Sequence, residues 1–223
     1  MTICVRFDRQ LLELIKHNLD KHPVANLQLE GRKSAAVAFT LVNASAPADI
    51  GNIAHDAAQF ENAAFILTTR AANLSSHASQ RAYPGGRLDA GETAEQAALR
   101  ELAEEVGLVL DSDSVLGRLD DYATRSGFVI TPIVVWGGKD VELVANPGEV
   151  ELIHRVPLRE LLRQDVPLLD SIEESPHPVL RMPLGDDWFA APSAAIAYQF
   201  REVALLGKPT RVVHFEQPHF AWQ

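Results

Sequence analysis

A single cysteine, Cys4, stands among the 223 residues, so the chain has no intrachain disulfide and no cysteine cluster to hold zinc. That fits a reducing compartment, and a cytoplasmic location is expected. No apolar run approaches the roughly 20 residues that a spanning helix needs, and the N-terminal stretch MTICVRFDRQ is broken by Arg6 and Asp8. Neither a membrane span nor a signal peptide is expected, and the final PHFAWQ carries no address or lipidation signal. Positive charge is also short: 20 Lys and Arg face 30 Asp and Glu, for a formal charge of −10. Without a basic field, nucleic acid is not expected as a partner, and a phosphate-bearing small molecule would need metal ions or local arginines. Internal repeats, low-complexity tracts and linkers are missing too. The chain is therefore expected to form one domain over residues 1–223, with 47% apolar residues to supply its core.

What is present begins with Asp8, placed to cap a helix over about 8–22 in which Leu11, Leu12, Ile15 and Leu19 recur at helical spacing before Pro23. SAAVAFTLV, residues 34–42, reads as a strand. The connection that follows runs to Asn62, with room for a short helix from His55 to Phe60. AAFILTTR, 63–70, is a buried-strand pattern ending in an arginine. Beyond residue 110, VLGRLDDYAT and GFVITPIVVWGG predict two strands joined around Ser126 and Gly127, with Pro132 pointing to an edge or a bulge. EVELIHRVPLRELLRQ predicts a strand and then a helix from about Pro157. The proline-rich stretch 170–192 shows little periodicity and reads as an irregular excursion. AIAYQFREVALLG predicts a last amphipathic helix closed by Gly207, a C-terminal helical extension, and the tail adds a short strand.

Between the strands lies GRLDAGETAEQAALRELAEEVGL, residues 86–108. Thr93 and Gln96 have capping-box spacing and Gly107 stands where a left-handed cap belongs, so a helix is predicted from Ala94 to Val106. On that helix Glu101, Glu104 and Glu105 fall within an arc of about 100°, while Leu99, Leu102, Ala103 and Val106 cluster roughly opposite. One face should pack and the other be acidic. An isolated acidic face usually means solvent. Three crowded carboxylates nevertheless repel unless a cation compensates, and an all-carboxylate set suits Mg²⁺ or Mn²⁺. Arg100 has the i,i+4 spacing for an ion pair with Glu104.

Gly86, five residues, Glu92, seven residues, Arg100-Glu101-Leu102, one residue, Glu104-Glu105, one residue, Gly107-Leu108 match all nine fixed positions of the Nudix box. The stretch thus resembles the Nudix hydrolase family. The resemblance implies a Nudix fold, an α/β/α sandwich around a mixed β-sheet. It also implies metal-dependent hydrolysis of a small-molecule nucleoside diphosphate substrate. Carried over by position, Glu101, Glu104 and Glu105 would be metal ligands, with Glu104 and Arg100 in the catalytic set. Gly86, Glu92 and Gly107 would shape the loop and its helix, with Glu92 and Arg100 bracing it. Glu149, in PGEVELIHRVPL, is the candidate general base, a loop carboxylate ahead of a strand.

Upstream, LTTRAANLSSHASQRAYPGG resembles the signature that precedes the box in coenzyme A pyrophosphatases. Leu67, Thr68, Arg70, Leu74, His77, Gln80, Pro84, Gly85 and Gly86 match it, whereas Ala71, Ser79, Arg81 and Tyr83 depart from it. By this likeness the substrate would be coenzyme A or an acyl derivative. The products would be 3′-phosphoadenosine 5′-phosphate and 4′-phosphopantetheine. Arg70, His77 and Gln80 could then meet phosphate groups. The alternatives are ADP-ribose or another nucleoside diphosphate compound, or a non-catalytic nucleotide-sensing domain. A homodimer is compatible with either reading.

Overall fold

The computed structural model describes residues 5–44, 53, 61–71 and 80–219. Two long strands organise it. β1 (Lys33–Asn43) and β2 (Ala63–Arg70) are antiparallel neighbours, and both bury nearly every side chain. Successive residues point to opposite faces. Ala36, Ala38, Ala64 and Ile66 therefore pack on one side, and Phe39, Leu41, Phe65 and Leu67 on the other. Such continuous apolar runs are what a sheet covered on both faces requires.

β1 and β2 pair directly only where Leu41–Asn43 meets Ala63–Phe65. Beyond that they separate, and residues 81–87 fill the fork. β3 (Arg81–Ala82) pairs with β2, and β4 (Gly85–Arg87) pairs with β1. The far edge of β2 carries β8 (Val150–Pro157) in antiparallel register. The far edge of β1 carries β7 (Phe128–Gly138) in parallel register, flanked by β5 (Val115–Arg118) and β6 (Tyr122–Ala123). The result is an eight-stranded mixed sheet.

α2 (Ala94–Val106) covers the alanine-rich face, and α1 (Arg9–Lys21) and α3 (Ser193–Phe200) contribute to the core on the aromatic face. This is the expected α/β/α sandwich. Asp8 caps α1 by accepting from the Leu11 N–H at 3.0 Å. The capping box of Thr93 and Gln96 is formed, and Gly107 closes α2 at φ +71°. The helix from His55 to Phe60 lies outside the described residues. No helix of the described residues is long and apolar enough to cross a membrane.

Several expectations need correction. Pro132 sits in the interior of β7 rather than at an edge of the sheet, opposite the irregular step between the pairs Arg118–Ile133 and Tyr122–Ile130. Its carbonyl accepts from Leu119, so its missing N–H faces the side where β5 has ended and β6 has not begun. After Pro157 there is one tight turn, Leu158–Leu162, rather than a longer helix; it already buries Leu158 and Leu161, three residues apart. Residues 170–192 are not irregular. They contain most of a three-stranded antiparallel sheet, β9 (Leu168–Ile172), β10 (Ser175–Leu184) and β11 (Asp187–Ala190). Leu180, Met182 and Leu184 of β10 join the aromatic-face core.

α3 is buried almost all round rather than amphipathic, because it lies between the two sheets. It continues as a wider turn, Arg201–Leu205, before Gly207 at φ +65°. Among its described residues the tail contributes a single bridge, Glu216 to Val179, and no strand.

Candidate active site

The fork between β1 and β2 sets the position of the glutamates. α2 leaves the 81–87 segment and runs back beneath it, so Glu101 and Glu105 face the fork rather than water. They are 9% and 2% exposed, whereas Glu104 is exposed. The acidic arc therefore straddles the boundary of the packed face instead of opposing it. Glu105 receives a hydrogen bond from the Gly85 backbone. A Cβ on Gly86 would stand 2.1 Å from Glu101 Oε1, so this glycine is what lets the loop backbone lie on the carboxylate.

Glu149 reaches the same place from another part of the chain. The segment before it is tied to the last turn of α2, Asn146 donating to the Glu105 carbonyl at 2.9 Å and Val144 to that of Val106 at 2.9 Å. Its own carbonyl accepts from Ala71, just past β2. Glu101, Glu105 and Glu149 thus offer three carboxylate oxygens within 4.8 Å of one another. Burial pushes Glu105 up to about 8, with Arg70 opposing the shift and Glu101 and Glu149 adding to it. Burial raises Glu101 as well, against the pull of Arg100. Three carboxylates so confined favour either protonation or a cation. An all-oxygen donor set of this kind fits a hard divalent ion.

Arg100 holds the loop to the helix. It donates to Glu92 through Nε at 2.9 Å and Nη2 at 3.1 Å, to the Arg87 carbonyl at 3.1 Å, and to Glu101 and Glu104 at 2.8 and 3.1 Å. Glu92 also accepts from the Asp89 N–H at 2.9 Å, and Arg100 holds its carboxyl below the usual range. The sequence reading placed Glu104 with Glu101 and Glu105; here it is turned toward Arg100 and does not join the three-carboxylate group.

A cavity of about 660 Å³ adjoins the cluster through Gly85, Gly86 and Arg70. Arg70 and Gln80 line it, and His77 lies outside the described residues. The Arg70 Nε is buried with no hydrogen-bond partner among the described residues. Its charge acts on Glu105. Sequence reasoning missed the part of the lining made by Asp187, Trp188 and Phe189 of β11 with Phe128 of β7. A usable signal was there: Gly185-Asp186, a two-residue turn between apolar runs, is a hairpin pattern.

Comparison with known proteins bears on the family. The NUDIX domain model matches residues 53–176. The chain is 43% identical over 98 residues to a protein described as "Uncharacterized Nudix hydrolase NudL" from Photorhabdus laumondii, covering 44% of this chain and 52% of that one. It is 37% identical over 103 residues to "Nudix hydrolase 3" of Caenorhabditis elegans, covering 44% and 43%. The chain thus matches about half the length of these relatives. Among solved structures, a MutT/nudix family protein from Enterococcus faecalis overlays with a TM-score of 0.52 at 17% identity, over 90% of this chain and 73% of that one. The sequence frame, the sandwich and the domain match converge: the chain belongs to the Nudix family.

Proposed function

We propose that the chain is a divalent-metal-dependent pyrophosphohydrolase acting on nucleoside diphosphate compounds, with coenzyme A or an acyl-coenzyme A as its substrate. The observation that carries the reading is the partly buried group of Glu101, Glu105 and Glu149 beside a nucleotide-sized cavity that Arg70 lines. Coenzyme A is favoured by the run from Leu67 to Gly86. Arg70 ends β2 at the junction of cavity and cluster, and its N–H donates to the Gln80 carbonyl at 3.0 Å.

In this reading Glu101, Glu104 and Glu105 would hold Mg²⁺ or Mn²⁺. The ion would supply neutralisation of charge developing on the phosphate oxygens and acidification of water. The chain's own residues do the rest. Arg70 meets the diphosphate as a fixed cation. Arg100, through Glu92 and the Arg87 carbonyl, keeps Gly86 against Glu101, and so acts as a positioning residue. Glu149, brought in on a separate segment, takes one proton from the attacking water. The water oxygen bonds to one phosphorus as that phosphorus releases the bridging oxygen.

A panel of coenzyme A, acetyl-coenzyme A, ADP-ribose and dinucleoside polyphosphates, each with Mg²⁺ or Mn²⁺, tests this. Preference for the two coenzyme A compounds is expected. Preference for a substrate without pantetheine would reject that assignment. Tight nucleotide binding with no turnover of any compound would favour a sensing domain.

A further inference from the structure

Part of the cavity wall comes from residues 187–193, beyond the segment that matches the domain model. This wall is braced. Arg81 of β3 donates to Asp187 at 2.6 Å and to the Trp188 carbonyl at 2.9 Å, which fastens β11 to the strand that leads into the loop. The Trp188 side chain is itself held. Arg181 of β10 lies over the indole at 4.4 Å from its centroid and is ion-paired with Asp170 of β9. Trp188 still keeps 38% of its surface exposed, a large aromatic left open on a pocket wall. A guanidinium stacked on one face of an indole fixes the plane of the ring and leaves the other face for a second flat group.

We infer that Trp188 is the stacking platform for the planar base of the substrate, so that the nucleoside half lies against the β10–β11 hairpin and the diphosphate reaches toward Glu101 and Glu105. The inference rests on the hydrolase reading for the position of the diphosphate, but the platform is separable from the chemistry. The cavity has the capacity for a nucleotide. Stacking suits this role, since a base presents a π-face whatever its edge groups. Substrate choice would then sit partly on an element outside the matched domain.

The test is calorimetric binding of AMP, which carries the base of the proposed substrate without its 3′-phosphate, and of 4′-phosphopantetheine, the half without a base, with Mg²⁺ present. Wild type, Trp188→Ala and Trp188→Phe are compared after their thermal melts have been matched. AMP binding should weaken roughly 10- to 100-fold in Trp188→Ala, the size of one lost base–aromatic stack, and stay within about threefold in Trp188→Phe. Phosphopantetheine binding should not change in either variant. Unchanged AMP binding in Trp188→Ala, equal weakening of both ligands, or no AMP binding by wild type would overturn the platform. Turnover separates the two claims: the expected binding pattern in a chain that hydrolyses none of the panel would keep the platform and refute the hydrolase. Normal hydrolysis with an unaltered KM in Trp188→Ala would do the reverse.

Discussion

Two neighbouring glycines make opposite predictions at the residue scale. A Cβ on Gly85 would lie 2.4 Å from the Ala36 carbonyl oxygen, which is backbone of β1 and cannot yield. Gly85→Ala should therefore cost about 1–3 kcal/mol in chemical denaturation, the usual range for overpacking. On Gly86 the obstacle is the end of the Glu101 side chain, which can swing away. Gly86→Ala should melt near the wild-type temperature while its metal affinity, read by calorimetry, falls about 10- to 100-fold, the range for disturbing a ligand's support. Glu105 supplies a pH signature. Its folded-state value is raised from 4.5 to about 8, so its contribution to stability is fully present below 4.5 and is lost as pH rises through 8. Melts in EDTA should show this loss between those values, and Glu105→Gln should remove most of it. At pH 8 in EDTA the Gln variant should be the more stable protein, and added Mg²⁺ should stabilise wild type but not the variant.

At the scale of elements, α2 is specified by its own ends. Thr93→Ala removes the side chain that accepts from Gln96 and should lower stability by about 1 kcal/mol. Arg100→Ala releases Glu92, the Arg87 carbonyl and Glu101 together, a partly buried set, and should cost about 1–2 kcal/mol in urea denaturation. Because the loop then loses its tie to the helix, turnover should drop further than KM changes. The boundaries of α2 and β2 were legible in the sequence because their signals are local: a capping box, a terminal glycine, an unbroken apolar run. The burial of Glu101 and Glu105 was not, since helical spacing fixes which residues share a face and not what covers that face. β10 escaped notice for a different reason. Pro176, Pro178 and Pro183 obscure its pattern, although only Val179 to Leu184 carry its core contacts and most of its pairing.

For the whole molecule, the decisive feature is the divergence of β1 and β2, which lets residues 81–87 enter the sheet and places α2's carboxylates under them. The linear reading singled out Glu149 only as a loop carboxylate ahead of a strand; the pairing of β8 with β2 and the ties from 144–146 to α2 are what bring it to that point. The Nudix frame pointed to the proposed chemistry, the Gly185-Asp186 turn offered an unused signal for the cavity wall, and the position of Glu104 emerged only from packing. The central claim is that diphosphate hydrolysis depends on a metal held at this convergence. It is tested most directly by following coenzyme A with Mg²⁺ or Mn²⁺ by chromatography, for wild type, wild type in EDTA, and Glu105→Gln. We expect 3′-phosphoadenosine 5′-phosphate and 4′-phosphopantetheine in equal amounts from wild type, no product in EDTA, and a loss of roughly a hundredfold or more in the variant. Hydrolysis that survives EDTA, or that Glu105→Gln leaves at the wild-type rate, would contradict it.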